Sequence, residues 1–202
     1  DYHAEFIRMN ATGCSYMLVN EREKTACRVD MNMTGLYNVQ NSLCAIAMVA
    51  ALGFDMTECA KALSDLDGVD GRMNVVYRGD FTVITDYAHT DDALIKVLST
   101  LKPLTKGRLI CVFGAAGDRD KEKRPMMAKA AEDNADILVI TSDNPAHENP
   151  DEIIREVMTG ISGKKPCRCI TDRREAIAYA LDTARKDDVV ILCGKGHETY
   201  QI

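Results

Sequence analysis

Four polar loops that combine carboxylates, cations and glycines follow apolar stretches of this 202-residue sequence. Asp143 and Glu198 lie in two of these loops, and Arg119 lies in a third. A guanidinium pairs with a carboxylate, and a carboxylate pairs with an ammonium group. The residue types therefore predict a site for a zwitterionic amino acid, with its carboxylate on Arg119 and its ammonium on Asp143 or Glu198. The loops cover residues 86–90, 114–121, 142–150 and 194–198.

Each loop taken alone also has an ordinary structural explanation. Gly114 and Gly117 suit a tight turn as well as a ligand cradle, and the third glycine of a dinucleotide-binding fingerprint is missing. Residues 143–145 are typical of a turn, and residues 194–196 match only part of a phosphate-binding P-loop. A functional site is favoured because four such loops are predicted at one edge of one sheet.

The elements that must position these loops alternate between strands and helices from residue 73 onward. Their strands are continuous apolar runs, which are typical of a mostly parallel sheet with helices on both faces. Ligands bind beyond the carboxyl ends of such strands, where the four loops begin. We expect an α/β, Rossmann-like fold preceded by a smaller α+β unit. The predicted strands are 81–85, 108–113, 137–141, 167–170 and 189–193, and the predicted helices are 91–101, 123–134, 150–160 and 173–185.

The first third of the chain has a different pattern. Three short alternating segments predict an antiparallel meander, and helices are expected over about 36–52 and 57–66. The segment 67–72 is rich in Gly and Asp, which marks a change of pattern. We therefore place a boundary there, between domains 1–71 and 72–202.

Composition narrows the classes of function. The sequence has 25 Lys and Arg against 31 Asp and Glu, a net charge of −6, which argues against nucleic-acid binding. No apolar run approaches the ~20 residues that span a bilayer, so no membrane association is expected. Signal-peptide features and a starting Met are absent, so we expect a piece of a longer protein. The eight cysteines show no C-x-x-C spacing, which favours reduced thiols, no metal site and a cytoplasmic location.

Read together and in order, the short motifs of this chain resemble the Mur ligase superfamily, most closely its members that add the third amino acid of the peptide. The motifs cover nearly the whole chain, and their order is more specific than any one of them. The matching strings are GLYNVQN at 35–41, GRM at 71–73, DYAHT at 86–90, FGAAGDRD at 113–120, KRPM at 123–126, SDNP at 142–145 and GKGHE at 194–198.

The resemblance implies an ATP-dependent amide ligase with three domains. Residues 1–71 would belong to its central ATPase domain and residues 72–202 to its C-terminal, amino-acid-binding domain. The P-loop and the ligands of Mg²⁺ would lie upstream of Asp1. No catalytic or metal-binding residue is therefore assigned here, and the chain alone is expected to be an inactive part of a monomeric enzyme.

The implied reaction joins a free diamino acid to UDP-muramoyl-dipeptide in peptidoglycan synthesis. The dipeptide carboxylate attacks the γ-phosphoryl group of ATP to give an acyl phosphate and ADP, and the incoming amine then displaces phosphate. The resemblance assigns ATP binding to Asn41 at the adenine, to Asp86 at the ribose, and to Arg72 and His89 nearby. The implied amino-acid-binding residues are Arg119, Asp143, Asn144, Pro145, Ala146, Gly194 and Glu198.

Ala146 bears on which amino acid is added. Diaminopimelate-adding members of the family typically carry Arg here, where its fork pairs with the distal carboxylate of that substrate. Alanine cannot form this pair, and L-lysine has no distal carboxylate. The sequence therefore favours L-lysine over meso-diaminopimelate, with His147 as a weaker rival partner for such a carboxylate.

Two other functions stay open at this point. The first is an amide ligase of the folylpolyglutamate or cyanophycin type, against which residues 143–145 and 196–198 argue. The second is a non-catalytic amino-acid-binding module, which needs no P-loop. The length of the native chain distinguishes the module from the ligase.

Overall fold

The computed structural model describes residues 2–202, and the chain divides into two compact units. The first unit extends to Val69, and the second comprises Asp70–Ile202. Each unit has its own sheet and its own apolar core.

The first unit is an antiparallel three-stranded meander with two helices. Residues along its second strand are alternately buried and half-buried, because successive side chains point to opposite faces of a sheet. Tyr16 and Leu18 of that strand pack with Val39 and Ile46 of the first helix. The elements are β1 (Tyr2–Asn10), β2 (Gly13–Asn20), β3 (Thr25–Met31), α1 (Leu36–Ala51) and α2 (Met56–Ser64).

The second unit is a six-stranded sheet in the order β4-β5-β9-β6-β7-β8, parallel except for β4, which pairs antiparallel with β5. The expectation of a mostly parallel α/β sheet is confirmed. Its strands are β4 (Asn74–Arg78), β5 (Thr82–Asp86), β6 (Leu109–Phe113), β7 (Ile137–Ile140), β8 (Cys167–Cys169) and β9 (Val189–Cys193). Its helices are α3 (Asp91–Leu101), α4 (Lys123–Asn134), α5 (Pro150–Met158) and α6 (Arg173–Thr183), with a short 3₁₀ turn at Lys102–Leu104.

The core of the second unit is built on its central strands. All five residues of β6 are buried, which explains why its sequence is an unbroken apolar run. Ala176 and Ala180 of α6 pack against Ile110, Val112 and Val190 of the sheet. Since α3 packs against α4, and α4 against α5, these three helices form a connected layer.

Strand β4 is the element that the sequence pattern did not predict. Its residues are half-buried or exposed, and its pairing with β5 is interrupted by a bulge between Val75 and Tyr77. Its apolar run covers only the three residues 75–77 and lies between Asn74 and Arg78, so it is shorter than the runs that identified the central strands.

Two structural expectations concerned features that would be absent. Among residues 2–202, no helix is both long and apolar enough to cross a bilayer. The same residues contain no cluster of three or more His, Cys, Asp or Glu side chains suited to hold a metal ion.

Candidate functional site

A cavity of about 760 Å³ lies in the second unit, at the carboxyl ends of its parallel strands. The loops that follow β5, β6, β7 and β9 all contribute to its wall, as expected for a parallel sheet. Seven of the residues predicted from sequence line it: His89, Arg119, Asp143, Asn144, Ala146, Gly194 and Glu198.

Close backbone packing joins the glycine-rich loop after β6 to the loop after β7. A Cβ at Gly114 would overlap the carbonyl oxygen of Thr141, and one at Gly117 would overlap that of Pro145. The amide of Gly117 donates to the Asn144 carbonyl oxygen at 2.7 Å. These two glycines therefore allow the loops to approach, and Pro145 helps to build the wall rather than to line the cavity.

A cluster of charged and amide side chains forms one side of the cavity. Asn144 Nδ2 donates to Glu198 Oε2 at 3.2 Å, and the Tyr87 hydroxyl donates to Glu198 Oε1 at 2.9 Å. Lys195 Nζ donates to Asn144 Oδ1 and lies 3.4 Å from Glu198 Oε2. Residues from three loops, separated by up to 111 positions in the sequence, thus converge on one carboxylate.

Asp143 is the buried carboxylate of this cluster. The residue is 6% exposed, and its Oδ2 has no hydrogen-bond partner among the described residues. Burial raises the pKa of the Asp143 carboxyl, although the charges of Arg173 and Lys195 act in the opposite direction. A buried acceptor without a partner is costly, which distinguishes Asp143 from the hydrogen-bonded Glu198.

Arg173 donates hydrogen bonds to the backbone of two of the chain segments that form this side of the cavity. Its Nη2 donates to the Cys193 carbonyl oxygen at 2.7 Å, and its Nη1 donates to that of Ser142 at 3.3 Å. The guanidinium therefore ties the end of β9 to the loop after β7. Sequence reasoning placed Arg173 only in a helix, because nothing local indicates contacts with residues 20 and 31 positions away.

Arg119, the predicted carboxylate partner, lies on an exposed part of the cavity wall. Its neighbour Asp118 accepts a 2.5 Å hydrogen bond from His147 Nδ1, and Asp118 N donates to Glu148 Oε1 at 2.7 Å. His147, the rival partner for a distal carboxylate, is thus already paired with an acidic side chain.

Arg124 anchors the same region and was not assigned a role from sequence, although it lies in the KRPM string. It is 1% exposed and donates to Glu148 Oε1 at 2.7 Å, to Glu156 Oε2 at 2.5 Å and to the Ala116 carbonyl oxygen at 3.2 Å. Hydrogen bonds from Arg124 and Lys121 hold the pKa of Glu148 well below its usual range. No local sequence signal marks Glu148.

Three of the residues assigned to ATP lie around Tyr87. Asp86 is buried, and its two oxygens accept from the amides of Met73 and Ala88, both at 2.8 Å. The Arg72 guanidinium lies 4.9 Å from the Tyr87 ring centroid, and His89 Nδ1 donates to the Tyr87 carbonyl oxygen at 2.7 Å.

Asn41 is the fourth residue assigned to ATP. It is an exposed residue of α1 and belongs to the first unit.

Comparison with known proteins gives a consistent picture. Residues 71–196 match the family described as Mur ligase, glutamate ligase domain. The chain is 45% identical to a UDP-N-acetylmuramoyl-L-alanyl-D-glutamate–2,6-diaminopimelate ligase from Geobacillus kaustophilus, over all of this chain and 41% of that protein. It therefore spans about two fifths of the length of such relatives.

Solved structures agree on the fold. A structure of a UDP-N-acetylmuramoyl-L-alanyl-D-glutamate–2,6-diaminopimelate ligase superposes with a TM-score of 0.72 at 38% identity, over 100% of this chain and 41% of that one. A folylpolyglutamate synthase from Thermotoga maritima gives a TM-score of 0.75 at 16% identity, over 96% and 44% of the two chains. The second is a likeness of fold alone.

Proposed function

Since the chain belongs to the Mur ligase family, we propose that it is the C-terminal part of an ATP-dependent ligase. This enzyme adds a diamino acid to UDP-N-acetylmuramoyl-L-alanyl-D-glutamate in cytoplasmic peptidoglycan synthesis. Residues 1–71 form the end of its central ATPase domain, residues 72–202 form its amino-acid-binding domain, and the enzyme is a monomer.

The observation that carries this proposal is that Asp143, Glu198 and Arg119 all line one cavity. Two carboxylates suit the ammonium group of an amino acid, and a guanidinium suits its carboxylate. Asn144 and the backbone at Gly194 complete the amino-acid site. Arg72, Asp86 and His89 bind ATP, together with Asn41 of the first unit.

In the proposed mechanism, these residues hold the incoming amino acid while its acceptor is activated. The acceptor carboxylate attacks the γ-phosphoryl group of ATP, which releases ADP and leaves an acyl phosphate. The bound amine then displaces phosphate and forms the amide bond. The contribution of this chain is orientation, because a fixed amine reacts as part of one complex rather than by collision.

Mg²⁺ assists phosphoryl transfer by neutralising the charge that develops there. The described residues include no group that fits this ion. We assign its ligands, and the P-loop, to a preceding part of the enzyme.

A panel of amino acids tests the function directly. ADP release by the complete protein is measured with Mg-ATP and UDP-muramoyl-dipeptide, with L-lysine, meso-diaminopimelate or L-ornithine supplied in turn. We expect turnover with L-lysine. Turnover with diaminopimelate alone would retain the ligase but overturn the lysine preference, and no turnover with any of the three would overturn the ligase.

The preference for L-lysine rests on Ala146, which lines the cavity and offers no partner for a distal carboxylate. His147 is engaged by Asp118, which supports the same preference. The similar proteins are named as 2,6-diaminopimelate ligases, and this name describes the substrate of those proteins. Ala146 already has a φ of 51°, so a larger L-residue there adds no new backbone strain.

We therefore predict that Ala146→Arg in the complete enzyme shifts the ratio of kcat/KM values toward meso-diaminopimelate. A bidentate Arg–carboxylate pair would account for a change of roughly tenfold or more. The matched control is Ala178→Arg, which adds the same side chain to an exposed face of α6. An unchanged ratio in the Ala146 variant would contradict the assignment of this position.

A further inference from the structure

Lys195 lies behind the cavity wall. Asn144 and Glu198 line the cavity and Lys195 does not. Lys195 lines a neighbouring recess of about 520 Å³, which Glu198 also borders. Only 12% of the Lys195 side chain is exposed. The ammonium group therefore affects the cavity through the two lining residues that it contacts, Asn144 and Glu198.

Lys195 helps to fix the orientation of the Asn144 amide, whose Oδ1 also accepts from the backbone amide of Ile202 at 2.9 Å. Its Nζ donates to Asn144 Oδ1, and the amide Nδ2 is thereby directed toward Glu198 Oε2 at 3.2 Å. Nζ also donates to the Tyr200 carbonyl oxygen at 2.9 Å, which anchors the ammonium group itself. Rotating the amide by 180° would bring its NH₂ group against the ammonium and its oxygen against a carboxylate, so only one orientation is favourable.

Lys195 also acts on the two carboxylates of the site. Its Nζ lies 3.4 Å from Glu198 Oε2 and 3.8 Å from Asp143 Oδ1. Burial opposes ionisation of Glu198, yet hydrogen bonds from Tyr87, Asn144 and Lys195 keep its pKa below the usual range. The positive charge of Lys195 therefore offsets the repulsion between the Asp143 and Glu198 carboxylates.

We propose that Lys195 is a positioning residue for the amino-acid substrate, which holds the Asn144 amide and the Glu198 carboxylate in the orientation that meets the substrate. Lys195 itself does not touch the substrate. This inference rests on the proposed function, because the substrate of the cavity is the one proposed above.

The first test separates binding of the amino acid from the other steps. In the complete enzyme, Lys195→Met should raise the KM for the amino acid by roughly 10- to 100-fold, the loss expected for hydrogen bonds to charged groups. The KM for ATP should stay unchanged. Lys195→Arg should give an intermediate KM, since it keeps the charge but not the compact ammonium. The control is Lys129→Met, which removes an exposed ammonium from α4.

A double-mutant cycle tests whether Lys195 acts through Asn144. In an Asn144→Ala background, Lys195→Met should raise the KM for the amino acid by a smaller factor than in the wild-type enzyme, because only its contacts with the two carboxylates are then lost. A full additive loss would overturn the proposal, as would a wild-type KM in the Lys195→Met single variant.

A spectroscopic readout keeps the inference independent of activity. In protein labelled with ¹⁵N-asparagine, the side-chain NH₂ signals of Asn144 are identified by their loss in Asn144→Asp. Lys195→Met should shift these signals and accelerate their exchange with water, whereas Lys129→Met should not. If the complete protein shows no ligase activity, the proposed function fails and this comparison alone decides the role of Lys195. Unchanged signals would overturn it.

Discussion

Gly194 shows how closely the site is packed at the level of single residues. Its φ is +106°, and a Cβ at this position would overlap Asp143 Oδ2. Glycine is therefore required both by the backbone conformation and by the approach of the carboxylate.

We predict that Gly194→Ala displaces Asp143 and raises the KM for the amino acid, in addition to a strain cost of about 1–3 kcal/mol. Gly163→Ala is the matched control, because Gly163 also has a positive φ of 83° but open space where a Cβ would lie. Urea unfolding measures the shared strain, and steady-state kinetics isolate the effect on the site. Equal KM values in the two variants would count against the contact with Asp143.

His147 provides a test of the electrostatics around the cavity. Its hydrogen bond to Asp118 raises its pKa above the usual 6.5. A raised pKa means that the imidazolium–carboxylate pair contributes at acidic pH and is lost as pH rises through that value.

NMR titration of the His147 ring should give a midpoint above that of the urea-unfolded chain, and Asp118→Asn should bring the midpoint back down. A midpoint that does not respond to Asp118→Asn would show that this pair does not form in solution.

The sequence predicted which loops line the cavity but not how their residues pair. The loops could be predicted because parallel strands bring their carboxyl ends to one edge. Lys195 was visible only as part of a glycine-rich string, and its contact with Asn144 spans 51 positions. Such pairing depends on which strands are neighbours, and local sequence does not carry that information.

At the scale of elements, helix α4 is tied to its surroundings at both ends. Arg124 near its start bonds to Glu148 of the loop after β7 and to Glu156 of α5. Glu132 near its end accepts from the amides of Ser162 and Lys164, and chiefly its hydrogen bonds with Ser162 hold its pKa down at about 2.

Arg124→Met should destabilise the second unit by about 1.5–3 kcal/mol, because it removes the charge-assisted hydrogen bonds to Glu148 and Glu156 while Lys121 stays beside both carboxylates. Arg155→Met, at an exposed position of α5, should cost less than about 0.5 kcal/mol. Urea unfolding of both variants checks the difference. A small effect at Arg124 would mean that solvent already satisfies Glu148 and Glu156.

Helices and strands could be predicted from the sequence where their side chains are buried and therefore apolar. Strands β6 and β9 were predicted within a residue of their ends because nearly every side chain in them is buried. Strand β4 was missed because its apolar run is only three residues long, as suits an edge strand whose Val76 and Tyr77 are exposed.

At the scale of the whole molecule, the chain consists of two units that each possess a core. The residues between α2 and Gly71 are mostly exposed and belong to neither sheet. A boundary of this kind is where domains separate.

We predict that residues 70–202 expressed alone unfold in one cooperative transition. Circular dichroism and tyrosine fluorescence should give coincident unfolding curves, since the sequence contains no Trp to dominate the emission. Divergent or gradual curves would mean that this unit needs residues 1–69 to complete its fold.

The position of β9 determines when this unit is able to fold during synthesis. β9 is the last strand in the sequence, yet it lies between β5 and β6. A nascent chain that has emerged from the ribosome only as far as α6 therefore holds two halves of a sheet with no strand to join them. The edges of β5 and β6 that pair with β9 stay unpaired until residues 189–193 are translated. Contacts between residues so far apart in the sequence also form slowly. During that interval the unpaired strand edges are available to pair with other chains.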